Sequence, residues 1–217
     1  MRSHGDGVHT IDTPLSFFGM ELGARMTVLE TTHGLLVHSP VDIDPSEIAH
    51  LGALRWAVAP NRLHHLFIGR WIDAGAEAWA APGLPEKRTD LDFAGVLDAD
   101  RQPFGDEVLV VPLTCFSFTN EVVLLHRPSR TLIVTDLLFH IQADAPLGTR
   151  VAMTLAGGYP GCCTTFVERI GFHRPTARRE MAALAALDFD RLIMSHGAVV
   201  ETGGKEAFRG AMSWLGI

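Results

Sequence analysis

The sequence predicts an α/β protein of the α+β type, with strands leading and helices interleaved toward the end. Three observations carry the prediction. Short apolar runs recur through the first two thirds, each stopped by a polar or turn-forming residue, as in buried strands. Hydrophobic residues make up 47% of the chain and its mean hydropathy is +0.18, which suits strands covered on both faces. Helical spacing is clearest in the last third, where Ala177, Met181, Leu184 and Ala185, then Phe208, Ala211, Met212 and Leu215, form apolar stripes.

Taken in order, residues 1–15 are polar and rich in Gly and His and read as a loose lead-in, leaving 16–217 as a single domain. Strands are expected at Ser16–Gly19, Met26–Glu30 and Leu35–His38. Asp44-Pro45-Ser46-Glu47 is a helix start, with Asp as N-cap, Pro at the first position and Glu three residues after the cap; Gly52 ends that helix. Leu54–Ala59 is an apolar strand stopped by Pro60. A short helix at Leu66–Ala74, a strand at Ala76–Ala80 and one or two helical turns at Pro85–Leu91 follow. Val108–Leu113 is rich in β-branched residues. Glu121–Leu125 and Thr131–Thr135 flank Arg127-Pro128-Ser129-Arg130 as a hairpin. Gly157-Gly158-Tyr159-Pro160-Gly161 breaks the stretch 143–174, with room for a helix on either side. Pro175–Leu187 is a helix, Arg191–Met194 a short buried strand and Lys205–Leu215 the closing helix.

Composition narrows the function. A net charge of −7 and a pI near 5.8 argue against nucleic acid as partner, because neutralising phosphates needs clustered Lys and Arg. The Arg178-Arg179 pair suits a solvated helix face. No run approaches the ~18 apolar residues that span a bilayer, so no membrane partner is expected. The first residues lack a signal-peptide pattern, and three cysteines, two of them adjacent, make no disulfide framework. A cytoplasmic location is the simplest expectation, with the thiols acting as small hydrophobes. A Gly-x-Ser-x-Gly elbow is absent, and Gly203-Gly204-Lys205-Glu206 lacks both the leading glycine and the hydroxyl residue of a phosphate loop.

Three polar punctuations follow apolar runs and concentrate the chemistry: Asn61-Arg62-Leu63-His64-His65 after Leu54–Ala59, Asp136 to His140 after Thr131–Thr135, and Ser195-His196-Gly197 after Arg191–Met194. Loops just beyond strand ends are where scaffolds place functional groups. If these three open on one edge, imidazoles and carboxylate converge there as the raw material of a metal site. Taken singly, each residue also has a purely structural use: Asp136 as a turn cap, His196 as a loop brace, His140 as a surface group. Adjacent in the chain, His64 and His65 cannot both point the same way.

The order of these features resembles the metallo-β-lactamase-like superfamily. Leu54–His65 sits where its first histidine motif follows a strand, Leu132-Ile133-Val134-Thr135-Asp136 looks like its strand ending in a metal-bridging aspartate, and Arg191–Gly197 looks like the strand ending in its last histidine ligand. The resemblance spans roughly residues 15–215 and implies a four-layer αββα sandwich with a metal site along one edge. The chain departs from the family's His-x-His-x-Asp-His motif, where it has Pro60, Arg62, His64 and His65, so an imidazole replaces the aspartate. The Gly-His-Thr loop corresponds to 113–120, where Cys115 is the only soft ligand.

The standard two-metal set is therefore missing, and the residues left suffice for one divalent metal such as Zn, Fe or Mn. Asp136 and His196 are the leading ligands and His65 the third, with His64 and His140 as further candidates; a helical turn would bring His140 onto the face of Asp136. Two functions stay open: a metal-dependent hydrolase acting on a small molecule, and a non-catalytic descendant that binds a ligand or partner without metal. Exposed apolar residues leave room for a homo-oligomer.

Overall fold

The computed structural model describes residues 1–217. The first fifteen residues, expected as a loose lead-in, instead form β1 (Arg2–Gly5) and β2 (Val8–Thr13), paired antiparallel at one edge of a large sheet. Their polar side chains find distant partners. His4 bonds Thr10 and Glu201, and His9 Nε2 lies 2.6 Å from Glu30 Oε1. A short hairpin, β3 (Ser16–Phe17) and β4 (Met20–Glu21), turns back through Gly19, which takes a φ of +78°.

β5 (Ala24–Thr31) extends the large sheet antiparallel to β2, and β6 (Gly34–His38) pairs antiparallel with β5. The Asp44 capping box forms as expected, with Asp44 Oδ1 accepting the Ser46 N–H at 2.8 Å, but the helix it starts is a single 3₁₀ stretch, Pro45–Ile48. From β6 onward the sheet is parallel, through β7 (Leu54–Ala59), β8 (Glu77–Ala80) and β9 (Gly95–Val96); α1 (Ile68–Asp73) makes the crossover between β7 and β8. Residues 85–91 form turns rather than a helix. The smaller sheet runs β10 (Val108–Pro112), β11 (Val122–His126), β12 (Thr131–Ile133), β13 (Arg191–Ile193), with only the last pair parallel. α2 (Leu147–Leu155), α3 (Phe166–Gly171) and α4 (Arg174–Ala186) lie between β12 and β13, and α5 (Gly204–Met212) closes the chain.

Strand alternation builds three cores from these pieces. On β7, Trp56 and Val58 face the smaller sheet, where they join Val110, Leu124, Ile133 and Ile193 in the inter-sheet core. Ala57 and Ala59 face the other way, toward Ile68 and Trp71 of α1. On the far side of the smaller sheet, Val123, Leu125 and Leu192 pack against Met181 and Leu184 of α4 and Phe208 and Met212 of α5. The result is helix, sheet, sheet, helix. Both sheets are covered on both faces, as the high apolar content required.

Candidate metal centre

The ends of β7, β12 and β13 converge on one edge of the sandwich. Beyond them His64 Nε2, Asp136 Oδ1 and His196 Nε2 form a near-equilateral triangle. His64 Nε2 lies 3.3 Å from Asp136 Oδ1 and 3.3 Å from His196 Nε2, and His196 Nε2 lies 3.4 Å from Asp136 Oδ1. These three side chains form a group able to hold one metal ion. Tetrahedral ligands at about 2.0–2.1 Å from a zinc ion lie about 3.3–3.4 Å apart, so the spacing fits a single first-row ion.

The hydrogen bonds behind the triangle support the same assignment. His196 Nδ1 lies 2.7 Å from the Gly23 carbonyl, which only accepts, so the ring carries its proton there and turns a bare Nε2 inward. His64 Nδ1 lies 2.8 Å from Ser39 Oγ, which serves as acceptor in the matching tautomer. Three lone-pair donors then face one point, an arrangement that needs a cation or a proton at its centre. An outward ring N–H anchored on a carbonyl or hydroxyl is the usual support of a metal-binding histidine. Phe139 stacks on the His196 ring at 5.4 Å between centroids, 8° from parallel.

Asp136 is held from two sides. Asn61, fully buried, donates from Nδ2 to Asp136 Oδ2 at 2.7 Å and to Thr135 Oγ1 at 2.9 Å, while its Oδ1 accepts the N–H of Leu63 and of His64. Glu121 accepts the backbone N–H groups of Thr135, Asp136 and Leu137 at 2.7, 2.9 and 2.9 Å. Burial and the nearby Asp136 charge push the Glu121 carboxyl up to about 8, against the pull of those donors. Burial also opposes the charge of Asp136, but the imidazoles of His64 and His196 outweigh it and hold that carboxyl far below the usual range. On the third loop, Arg25 of β5 donates from Nη1 to the carbonyls of Met194 and Gly197, at 2.9 and 2.6 Å, bracketing His196.

Of the five candidates read from the sequence, Asp136, His196 and His64 meet. His65 does not. It turns away to accept from Arg88 Nη1 at 2.9 Å, and burial together with the Lys87 and Arg88 charges lowers its imidazole to about 4. The inward imidazole, His64, is the one expected from the sequence at the position of the motif's aspartate. His140 also stays outside, because residues 136–140 turn without forming a helix. Its ring bonds the Ala198 carbonyl at 3.0 Å, and its backbone N–H bonds the His196 carbonyl at 3.1 Å, so it braces the loop. Burial pushes the Cys162 thiol up to about 12 and raises Cys115 and Cys163 as well, which disfavours their thiolate forms. Asn61, Glu121 and Arg25 were not singled out from the sequence. Asn61 after a strand-ending Pro60, and an acid opening the apolar run 121–125, were the available signals; Arg25 offered none.

No family model and no curated protein matches the sequence. Solved structures do match. The metallo-β-lactamase FIM-1 from Pseudomonas aeruginosa, in its mono-zinc form, superposes with a TM-score of 0.67 at 12% identity, over 98% of this chain and 92% of that one. The chain has the metallo-β-lactamase fold. A metallo-β-lactamase from Pontibacter korlensis gives 0.67 at 10% identity over 98% and 96%, and one from Hirschia baltica gives 0.64 at 12% over 97% and 94%. Within the metallo-β-lactamase fold, this chain keeps three converging ligand candidates at the edge of the sandwich.

Proposed function

We propose that the protein is a metallo-hydrolase-like enzyme with one divalent metal held by His64, Asp136 and His196, acting on a small molecule. The observation that carries the proposal is the triangle of 3.3, 3.3 and 3.4 Å with both outer ring nitrogens anchored. Zinc, iron or manganese in that position would supply Lewis acidity to a carbonyl or phosphoryl oxygen and acidify water toward a pKa of about 7. The chain's own residues do the rest. Gly23 and Ser39 fix the two imidazoles, Asn61 and Glu121 fix the carboxylate, and the apolar ring of Phe139 walls one side against water.

A second reading has one observation in its favour. The side chains of His64, Asp136 and His196 are only 11%, 10% and 5% exposed, a narrow opening for a substrate. A protonated imidazole beside Asp136 would neutralise the same cluster, leaving a non-catalytic fold that binds a ligand or partner at the old cleft.

Metal analysis of untagged protein separates the two. Enzyme chemistry requires about one equivalent of zinc, iron or manganese per chain after reloading, lost in His64→Ala, Asp136→Ala and His196→Ala and retained in His65→Ala. Wild-type protein that takes up no stoichiometric metal sinks the first reading and leaves the second.

A further inference from the structure

The outer face of α2 and α3 carries apolar side chains that nothing in the fold covers. Leu147, Val151 and Leu155 stand four residues apart along one face of α2 and are 68%, 51% and 76% exposed. Val167 and Ile170 of α3 are 60% and 85% exposed. The two helices adjoin, because the Phe166 N–H bonds the Ala156 carbonyl at 2.7 Å just past the end of α2. Single exposed apolar residues need no explanation, but five of them on two helices that meet end to end mark a candidate interaction surface.

Arginines outnumber acids on these helices, and Asp144 is exposed in the turn before α2. α2, α3 and α4 contain five arginines (Arg150, Arg169, Arg174, Arg178 and Arg179) in a chain of net charge −7. None of the five has a carboxylate partner, whereas seven arginines elsewhere do. The only acids in these helices are engaged with neighbours: Glu168 bonds Thr165, and Glu180 bonds Thr114 and the Cys115 N–H. The guanidinium of Arg169 lies over Phe166 and Trp214, 5.7 and 5.9 Å from the ring centroids, at the border of the ridge.

We infer that the α2–α3 face docks in plane on an anionic lipid surface, its apolar ridge entering the headgroup boundary while the unpaired arginines meet lipid phosphates. Apolar side chains flanked by free cations are what surface-lying helices present to such a membrane. A second copy of the chain fits less well, because a two-fold interface would set the same arginines against each other. A peptide partner fits less well too, since peptides are taken into grooves or along sheet edges and these side chains project outward. Docking in plane requires no spanning segment, and no helix here is long and apolar enough to cross a membrane. The inference stands whether or not the edge site holds a metal.

Vesicle flotation of the full chain tests it. The protein is expected to float with vesicles of phosphatidylcholine mixed with phosphatidylglycerol, to stay behind with phosphatidylcholine alone, and to be released by salt. Replacing Arg150 and Arg169 by Gln should lower partitioning about fivefold for each arginine. Leu155→Ser combined with Ile170→Ser should abolish flotation, with circular dichroism confirming that both variants fold. Wild-type protein that ignores the mixed vesicles overturns the inference, as does flotation that neither pair of substitutions changes. A wild-type dimer in equilibrium sedimentation that Leu155→Ser and Ile170→Ser convert to monomer would assign the ridge to a second copy instead.

Discussion

Asn61 Nδ2 donates to Asp136 Oδ2 at 2.7 Å, across 75 residues of sequence, with both side chains buried. The same amide accepts the His64 N–H at 2.7 Å, so one side chain sets the distance between two of the three proposed ligands. All four of its hydrogen-bonding positions are used. Asn61→Ala should weaken metal binding by about 10- to 100-fold, the usual effect of losing an outer-shell support. Asn61→Asp should not rescue it, because a carboxylate would replace the amide donor that faces Asp136. A chelator-competition titration of the two variants measures both effects.

Gly197 is the tightest point of the third loop. Its φ is +91°, and a Cβ there would lie 2.1 Å from the His140 carbonyl oxygen, a backbone atom that cannot swing aside. Gly203 has a similar φ of +72° but only the tip of Glu206 near its Cβ, at 3.8 Å. Gly203→Ala should therefore cost about 1–2 kcal/mol, the left-handed strain alone. Gly197→Ala should cost more and also displace His196, so that metal binding falls in this variant and not in the other. Urea unfolding alongside metal titration distinguishes the two positions.

Strand positions were readable wherever an apolar run ended at a turn former, as at Ala59-Pro60 or in the hairpin around Arg127–Arg130. β2 was not, because His9 and Thr10 look like surface residues until Glu30 and His4 are placed beside them. The three site loops were readable as strand ends. The choice between His64 and His65 was not, since it is decided by groups far away in sequence: Ser39 anchors one ring and Arg88 draws off the other. Glu121 was hidden for a similar reason. Its three N–H donors come from the next strand end, and nothing local distinguishes it from a solvated acid.

His38, at the end of β6, gives a pH signature. Its side chain is fully buried and its Nε2 has no partner; burial, then the charge of His64, lowers it to about 3. In the unfolded chain it titrates near 6.5, so between about 6.5 and 3 the unfolded state binds the extra proton. Its contribution is thus complete above about pH 6.5 and is lost progressively as the pH falls below that. His38→Phe, which does not titrate, should flatten the decline of stability over this range. Denaturant unfolding of wild type and variant at a series of pH values checks the difference in slope.

Arg25 is the remaining support that reaches the site without touching it. Its Nη1 holds the carbonyls on both sides of His196, and its Nε lies 2.7 Å from Asp12 Oδ1, so the buried guanidinium ties the end of β13 to the first strands of the other sheet. Removing it leaves two carbonyls without their donor beneath a ligand loop, at about 1–3 kcal/mol. Arg25→Ala should therefore lower both stability and metal affinity. A purely structural role would lower stability alone, so the two must be measured together. Arg25→Lys discriminates further: one ammonium can reach a carbonyl but does not offer the guanidinium's fixed fork, so it should recover part of the stability and little of the affinity. Full recovery of both by lysine would show that charge, and not the clamp on Met194 and Gly197, is what His196 requires.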